Sequence, residues 1–108
     1  MYLIPQPKSL KELGGVMPRK TICLTSEAAD ERIDKAVKKL PLSSDGIPMT
    51  IICNNSGGEG YTLQLKSDGI LLEGNSPAGV FYGIQTLRQI YTHKDIPCLY
   101  IEDTLLVR

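Results

Sequence analysis

The 108-residue sequence has no tryptophan, one phenylalanine and one histidine, and its twelve basic residues balance its twelve acidic residues. Without a net positive field, binding to nucleic acid is not expected, and no apolar run approaches the roughly 18 residues of a membrane span. The sequence contains no residues at the spacing of a metal site, no nucleophile with a nearby base and no phosphate-binding loop motif. We therefore assign no catalytic, cofactor-binding or metal-binding residue from the sequence.

The three cysteines, Cys23, Cys53 and Cys98, are odd in number, far apart, and placed within apolar runs. This pattern predicts small buried side chains in a reducing compartment rather than a disulfide framework. The first ten residues lack the basic and then apolar regions of a secretory signal. We expect a cytoplasmic protein, and an extracellular one stays open if a leader has been lost. Because the chain stops at Arg108 without a structural terminator, we also expect a shortened end.

A β-hairpin followed directly by a helix is predicted between Glu59 and Tyr91. Apolar and polar residues alternate from Tyr61 to Lys66, which is typical of a strand with one buried face. The turn Ser67-Asp68-Gly69, with a positive φ at the glycine, leads to a return strand over Ile70–Glu73.

The second helix has a well-defined start, because Ser76 can cap it and Pro77 suits its first position. Two glycines four residues apart, Gly79 and Gly83, weaken a helix and predict a close approach to a neighbouring element. The buried stripe is predicted to be Val80, Phe81, Ile84, Leu87 and Tyr91, and the solvent-facing residues Gln85, Arg88 and Gln89.

The rest of the chain predicts strands and one more helix. That helix runs from a cap at Thr25 or Ser26 to Leu40, with Ala29, Ile33, Ala36, Val37 and Leu40 buried. Strands are predicted over residues 19–25, 49–53 (buried on both faces) and 96–102, with an edge segment over residues 2–8 and a short turn or strand ending at Gly14-Gly15. We expect a single domain over residues 1–108 of the α+β class, in which two helices pack on one face of a mixed, mostly antiparallel sheet.

Glu102 and Asp103 form the only adjacent carboxylate pair outside a helix. Paired carboxylates are the groups that glycoside hydrolysis uses. Since no partner residue or cleft is indicated nearby, we do not assign them a catalytic role.

The chain resembles the small N-terminal domain that precedes the catalytic barrel in β-N-acetylhexosaminidases of glycoside hydrolase family 20. The resemblance covers nearly the whole chain, and its helix motif is specific. The matching residues are Ile4-Pro5-Gln6-Pro7, Glu59-Gly60-Tyr61, Leu63, Asp68-Gly69-Ile70, Ala78-Gly79, Phe81-Tyr82-Gly83, Gln85-Thr86-Leu87, Ile96-Pro97, Ile101 and Asp103.

This resemblance implies a non-catalytic accessory domain whose partner is the (β/α)8 barrel of the same parent chain. The parent would hydrolyse terminal N-acetylhexosamine residues, and its catalytic Asp-Glu pair has no counterpart here, since 108 residues are too few for a barrel. The fold is often called zincin-like, but the chain has no H-E-x-x-H motif and we expect no zinc. If a parent covers part of its surface, the isolated domain should expose an apolar patch and self-associate.

Two alternatives remain open from the sequence. Family 84 enzymes, which are hyaluronidase-like or remove O-linked N-acetylglucosamine, carry a similar N-terminal domain. A free-standing interaction module is the other alternative. A sugar-binding surface is disfavoured because exposed aromatic residues are few.

Overall fold

The computed structural model describes residues 9–18, 21–24, 31–57, 60–92 and 95–103, which form six strands and two helices. This order agrees with the one that the sequence predicts, and the class is α+β. The elements are β1 (Ser9–Val16), β2 (Ile22–Leu24), α1 (Glu31–Val37), β3 (Ile47–Cys53), β4 (Tyr61–Lys66), β5 (Gly69–Gly74), α2 (Pro77–Ile90) and β6 (Pro97–Asp103).

All six strands belong to one mixed sheet in the order β1-β6-β4-β5-β3-β2. The pairs β1–β6, β6–β4 and β4–β5 are antiparallel, whereas β5–β3 and β3–β2 are parallel. A parallel pair needs a crossover, and α1 supplies it between β2 and β3. α2 similarly connects β5 to β6, with β4 lying between them.

The core lies between the sheet and the two helices, which contact each other on one face. α2 begins as predicted, because the Ser76 hydroxyl accepts a hydrogen bond from the Gly79 amide and Pro77 occupies the first turn. Its inner side chains have no solvent exposure, and full burial of each contributes about 1.5–3 kcal/mol. These side chains are Val80, Ile84, Leu87 and Ile90.

The predicted hairpin is confirmed, with one difference in its turn. Tyr61, Leu63 and Leu65 point into the core, and β4 pairs with β5 through to Lys66 and Gly69. Gly69 therefore opens the return strand rather than completing the turn. Its φ lies outside the left-handed region that we expected.

Two other predicted elements differ from the structure. α1 ends at Val37 rather than Leu40, although Ile33, Ala36, Val37 and Leu40 are buried as expected. The start of this helix and the edge segment over residues 2–8 lie outside the described residues. The prediction that β3 is buried on both faces is wrong, since Ile52 is 41% exposed. Both helices cover the same face of the sheet, so alternate residues of β3 point to the other face.

Burial of all three cysteines was also predicted, and this is wrong for two of them. Cys98 is buried in β6, Cys23 is half-buried, and Cys53 is exposed at the end of β3. All three are free thiols. Cys23 and Cys53 lie in apolar runs, but a run does not show which of its residues face the covered side of the sheet.

β1 is a strand on the edge of the sheet with an irregular middle. Its register with β6 shifts between Glu12 and Val16, where Gly14 and Gly15 have φ values of 87° and 81°. Glycine adopts these angles without strain. Such a bulge disrupts the edge against pairing with another chain. Neither of the helices that the structure describes has the length and apolarity needed to cross a bilayer.

Candidate functional site

The adjacent carboxylates Glu102 and Asp103 do not form a catalytic pair. They are consecutive residues of β6, so their side chains point to opposite faces of the sheet. Glu102 is exposed, whereas Asp103 is buried and lies opposite Tyr61 in the neighbouring strand. A glycosidase needs both carboxyl groups on one side of a scissile bond, a few ångströms apart.

Buried polar groups join the hairpin to α2. The Tyr61 hydroxyl lies 2.5 Å from Thr86 Oγ1, and Thr86 Oγ1 donates a hydrogen bond to the Tyr82 carbonyl at 3.1 Å. Because the single Thr86 proton is used on that carbonyl, Tyr61 is the donor to Thr86. Burial raises the pKa of Tyr61 above 10.0, the Thr86 hydrogen bond opposes this rise, and the negative charge of Asp103 adds to it. The phenol therefore stays protonated and can donate.

The glycine of the Phe81-Tyr82-Gly83 motif allows α2 to lie directly on the sheet. A Cβ at Gly83 would lie 2.3 Å from Leu72 Cδ1 and 3.2 Å from Tyr61 Cδ1. The close approach predicted for this glycine is therefore confirmed. Tyr61, Gly83, Thr86 and Asp103 all come from the motifs that carry the family resemblance, and the structure brings them together as packing and hydrogen-bonding groups inside the domain.

A groove of about 430 Å³ opens where α1 and α2 end. We call it the basic groove, and its lining residues are Lys39, Leu40, Pro41, Arg88 and Tyr91. Two of them are cations, and none of the described residues that line it is acidic. Burial raises the pKa of Tyr91 to about 12, so its ring forms a neutral wall. Its hydroxyl is buried without a hydrogen-bond partner among the described residues.

Arg88 is the half-buried cation of the basic groove. Its described hydrogen bond runs from Nη1 to Gln85 Oε1 at 3.3 Å, which uses one of the five N–H donors of a guanidinium group. The sequence pattern placed Arg88 on the solvent side of α2 and did not indicate this groove. Residues 39–41 lie beyond α1, so helix periodicity could not bring them next to Arg88.

The outer side of α2 is poor in charge. The helix has no acidic residue, Pro77 is its exposed residue, and the remainder is buried or half-buried. Phe81 and Tyr82 lie on this side with their rings edge to face, 6.0 Å apart. Half-buried residues of the outer side are Ala78, Phe81, Tyr82, Gln85, Arg88 and Gln89.

The other face of the sheet is mixed in character. One row of side chains crosses five strands in register, from a basic residue at the edge to a threonine in β3. This row comprises Lys11, Tyr100, Gln64, Leu71 and Thr50. Neighbouring rows carry Glu73, Glu102 and Lys66. No group of three or more potential metal ligands is present among the described residues.

Comparison with known families identifies the chain. The profile described as glycosyl hydrolase family 20, domain 2, matches residues 1–104. The chain belongs to this family. No curated protein sequence matches this family 20 domain.

Several solved structures share the fold of the family 20 domain. It is 21% identical to a β-N-acetylhexosaminidase from Bacteroides fragilis, with a TM-score of 0.70 over 94% of this chain and 24% of that one. It is 25% identical to the N-acetyl-β-hexosaminidase of Streptomyces plicatus, with a TM-score of 0.61 over 93% of this chain and 25% of that one. The structure titled CpGH84B gives 17% identity and a TM-score of 0.73 over 94% of this chain and 22% of that one. The family 20 domain therefore spans a quarter or less of the length of these proteins.

Proposed function

We propose that this family 20 domain is a non-catalytic accessory domain of a β-N-acetylhexosaminidase-like glycoside hydrolase and that it stabilises the catalytic barrel by docking on it. The match of the family profile to residues 1–104 carries this proposal. The opposite orientations of Glu102 and Asp103 support the absence of catalysis by this chain alone. The parent would remove terminal N-acetylhexosamine residues from glycans.

The face of the domain formed by α1 and α2, which we call the helix layer, is a better candidate for the docking face than the opposite face of the sheet. Protein interfaces are enriched in aromatic residues and arginine and depleted in lysine and glutamate at their centre. The outer side of α2 has this composition, with Phe81, Tyr82 and Arg88 and no carboxylate. The opposite face of the sheet carries Glu73 and Lys66 among its side chains, which is typical of a surface in contact with water.

The native gene product provides the test. We expect intact-mass measurement in the source cells to find a chain several times longer than 108 residues, active on a chromogenic N-acetylglucosaminide. The 108-residue chain alone should show no activity. Deletion of residues 1–104 from the longer product should lower its Tm by about 5 °C or more, because a docking face is exposed to water. A native product of 108 residues without hydrolase activity, or a truncated enzyme of unchanged stability and activity, would contradict the proposal.

A family 84 parent is a second candidate, and the similarity to CpGH84B favours it at the level of the fold. The two parents differ in chain sequence beyond residue 108 and in substrate. Activity of the native product on O-linked N-acetylglucosamine of a glycopeptide, with none on terminal N-acetylhexosamine of free oligosaccharides, would select family 84.

A further inference from the structure

We propose that the basic groove receives a carboxylate side chain of the catalytic barrel, held by the Arg88 guanidinium. This inference rests on the proposed function and specifies the chemistry of the docking contact. The partner is thus an aspartate or glutamate on the barrel surface that faces the helix layer.

The first argument is that Arg88 makes few hydrogen bonds within the part of the chain that the structure describes. A guanidinium group presents its donors as a rigid fork that matches a carboxylate with two parallel hydrogen bonds. Among the described residues, Arg88 uses one donor, on the neutral amide of Gln85, and the contact is long at 3.3 Å. Withdrawing a cation partly from water has a cost, which an opposite charge offsets. The described lining of the groove supplies none.

The shape and charge of the groove are the second argument. Its volume of about 430 Å³ accommodates a side chain, and Leu40, Pro41 and Tyr91 give it a largely neutral wall. Lys39 adds a second positive charge at the exposed rim. Opposite charge on the partner is favoured, because a like charge facing two cations at an interface would weaken the association.

The position of the groove is the third argument. Arg88 lies on the same outer side of α2 as Phe81 and Tyr82, about two helical turns away from both. A partner that packs on the two aromatic rings therefore also reaches the groove. In such an arrangement the rings contribute contact area and Arg88 fixes the register, as charged groups at interfaces do.

The test compares Arg88→Gln with Lys66→Gln in the full-length native enzyme. Lys66 is an exposed cation on the opposite face of the sheet and is a matched control for the loss of one charge. The measurement is the rate of limited proteolysis at the junction between the domain and the barrel, at about 0.05 M and about 0.5 M NaCl. We expect Arg88→Gln to raise this rate about tenfold at low salt, the effect of losing a charge-assisted contact, and Lys66→Gln to leave it unchanged. High salt should raise the wild-type rate and have little effect on Arg88→Gln.

The isolated 108-residue chain separates docking from folding. Urea unfolding of Arg88→Gln and wild type should give the same midpoint, because the partner is absent. If Arg88→Gln lowered the urea midpoint of the isolated chain, Arg88 would be shown to support α2 itself, and the inference would be overturned. An active full-length enzyme whose junction is as stable in Arg88→Gln as in Lys66→Gln would overturn it too, while leaving the proposed function intact. A native product without a barrel would overturn both.

Discussion

The hydroxyl groups of Tyr61 and Tyr91 differ in whether they have a hydrogen-bond partner among the described residues. The Tyr61 hydroxyl donates to Thr86, while the buried Tyr91 hydroxyl has no partner among the described residues. A buried hydrogen bond contributes about 0.5–1.5 kcal/mol, whereas a buried polar group without a partner costs about 1–3 kcal/mol. We therefore expect the Tyr61 hydroxyl to stabilise the fold and the Tyr91 hydroxyl to weaken it.

Removal of each hydroxyl in turn tests this difference. Tyr61→Phe should lower the free energy of unfolding by about 1 kcal/mol, because the Thr86 oxygen loses its donor. Tyr91→Phe should leave it equal or raise it by up to about 1 kcal/mol. Urea unfolding of the two variants and the wild type gives the comparison, and an equal loss in both variants would show that the Tyr91 hydroxyl has a partner.

The stability of the fold at alkaline pH should depend on Tyr91. The pKa of Tyr91 is about 12 in the folded chain and 10.0 when unperturbed, so the unfolded state ionises first. Ionisation of Tyr91 therefore has no effect on the stability of the fold below about pH 10, and it lowers that stability as pH rises from about 10 through about 12. Urea midpoints measured between pH 8 and about pH 11.5 should fall more steeply for wild type than for Tyr91→Phe. Parallel curves would contradict the shift, and the difference in ultraviolet absorbance between wild type and Tyr91→Phe reports the ionisation of this tyrosine.

Sequence patterns predicted the environment of these rings but not of their hydroxyls. Tyr91 follows the apolar spacing of α2, and the structure places its ring against the core. Periodicity reports on which side of a helix a ring lies. Whether an oxygen at the end of that ring meets a donor or acceptor depends on residues distant in sequence, such as Thr86 for Tyr61.

At the scale of elements, Gly74 and Gly83 allow α2 and β5 to pack closely, and they differ in the atoms that a Cβ would meet. A Cβ at Gly83 would meet the end of the Leu72 side chain, whereas one at Gly74 would lie 2.5 Å from the Val80 amide nitrogen and 2.9 Å from its Cα. A side chain can change its rotamer, but the backbone of a helix cannot move without disturbing the whole turn. The two positions therefore differ in tolerance.

Alanine substitution at the two glycines should give unequal losses. Gly83→Ala gains about 1 kcal/mol of helix propensity and loses about 1–3 kcal/mol to overpacking against fully buried Leu72, a net loss near 1 kcal/mol. Gly74→Ala has no such gain and should lose about 3 kcal/mol, at the upper end of overpacking costs. Thermal unfolding of both variants, with exposed Lys66→Ala as control, measures the order. A more stable Gly83→Ala would show that Leu72 repacks freely.

Local signals explain which elements the sequence predicted well. The cap at Ser76, the proline at the start of α2 and the alternation of β4 all act within a few residues, so the hairpin and helix were predicted closely. The burial of β3 was predicted wrongly, because it depends on which face of the sheet the helices cover. Ile52 has the side chain of a core residue and lies on the uncovered face.

At the scale of the whole molecule, the three free thiols report on different depths of the fold. Cys53 is exposed, Cys23 is half-buried, and Cys98 lies buried in a strand with neighbours on both sides. We expect a thiol reagent to modify Cys53 quickly in the native protein, Cys23 more slowly, and Cys98 only at the rate of global unfolding. Cys53→Ser should remove the fast phase. Equal rates at Cys53 and Cys98 would contradict the order of strands.

Strand order itself could not be derived from the residues. The sequence predicts a sheet with two helices on one face, but nothing in its periodicity places β6 between β1 and β4. That arrangement follows from long-range pairing, whose partners are separated by up to about the full length of the chain. The basic groove could not be predicted from the sequence for the same reason, because Lys39 follows α1 and Arg88 lies in α2.

The pairing of β1 with β6 has a consequence for how such a unit is joined to others. Ser9 and Glu102 are register partners, so the first and last described strands bring their outer ends to neighbouring positions, about 5 Å apart. The described part of the chain therefore begins and ends at one corner of the sheet. A domain whose strands begin and end close together can be inserted into a larger protein, or deleted from it, with little change to the rest of that protein. A linker from Asp103 to Ser9 and a new opening at the Ser67-Asp68 turn would give a circularly permuted chain with the same sheet.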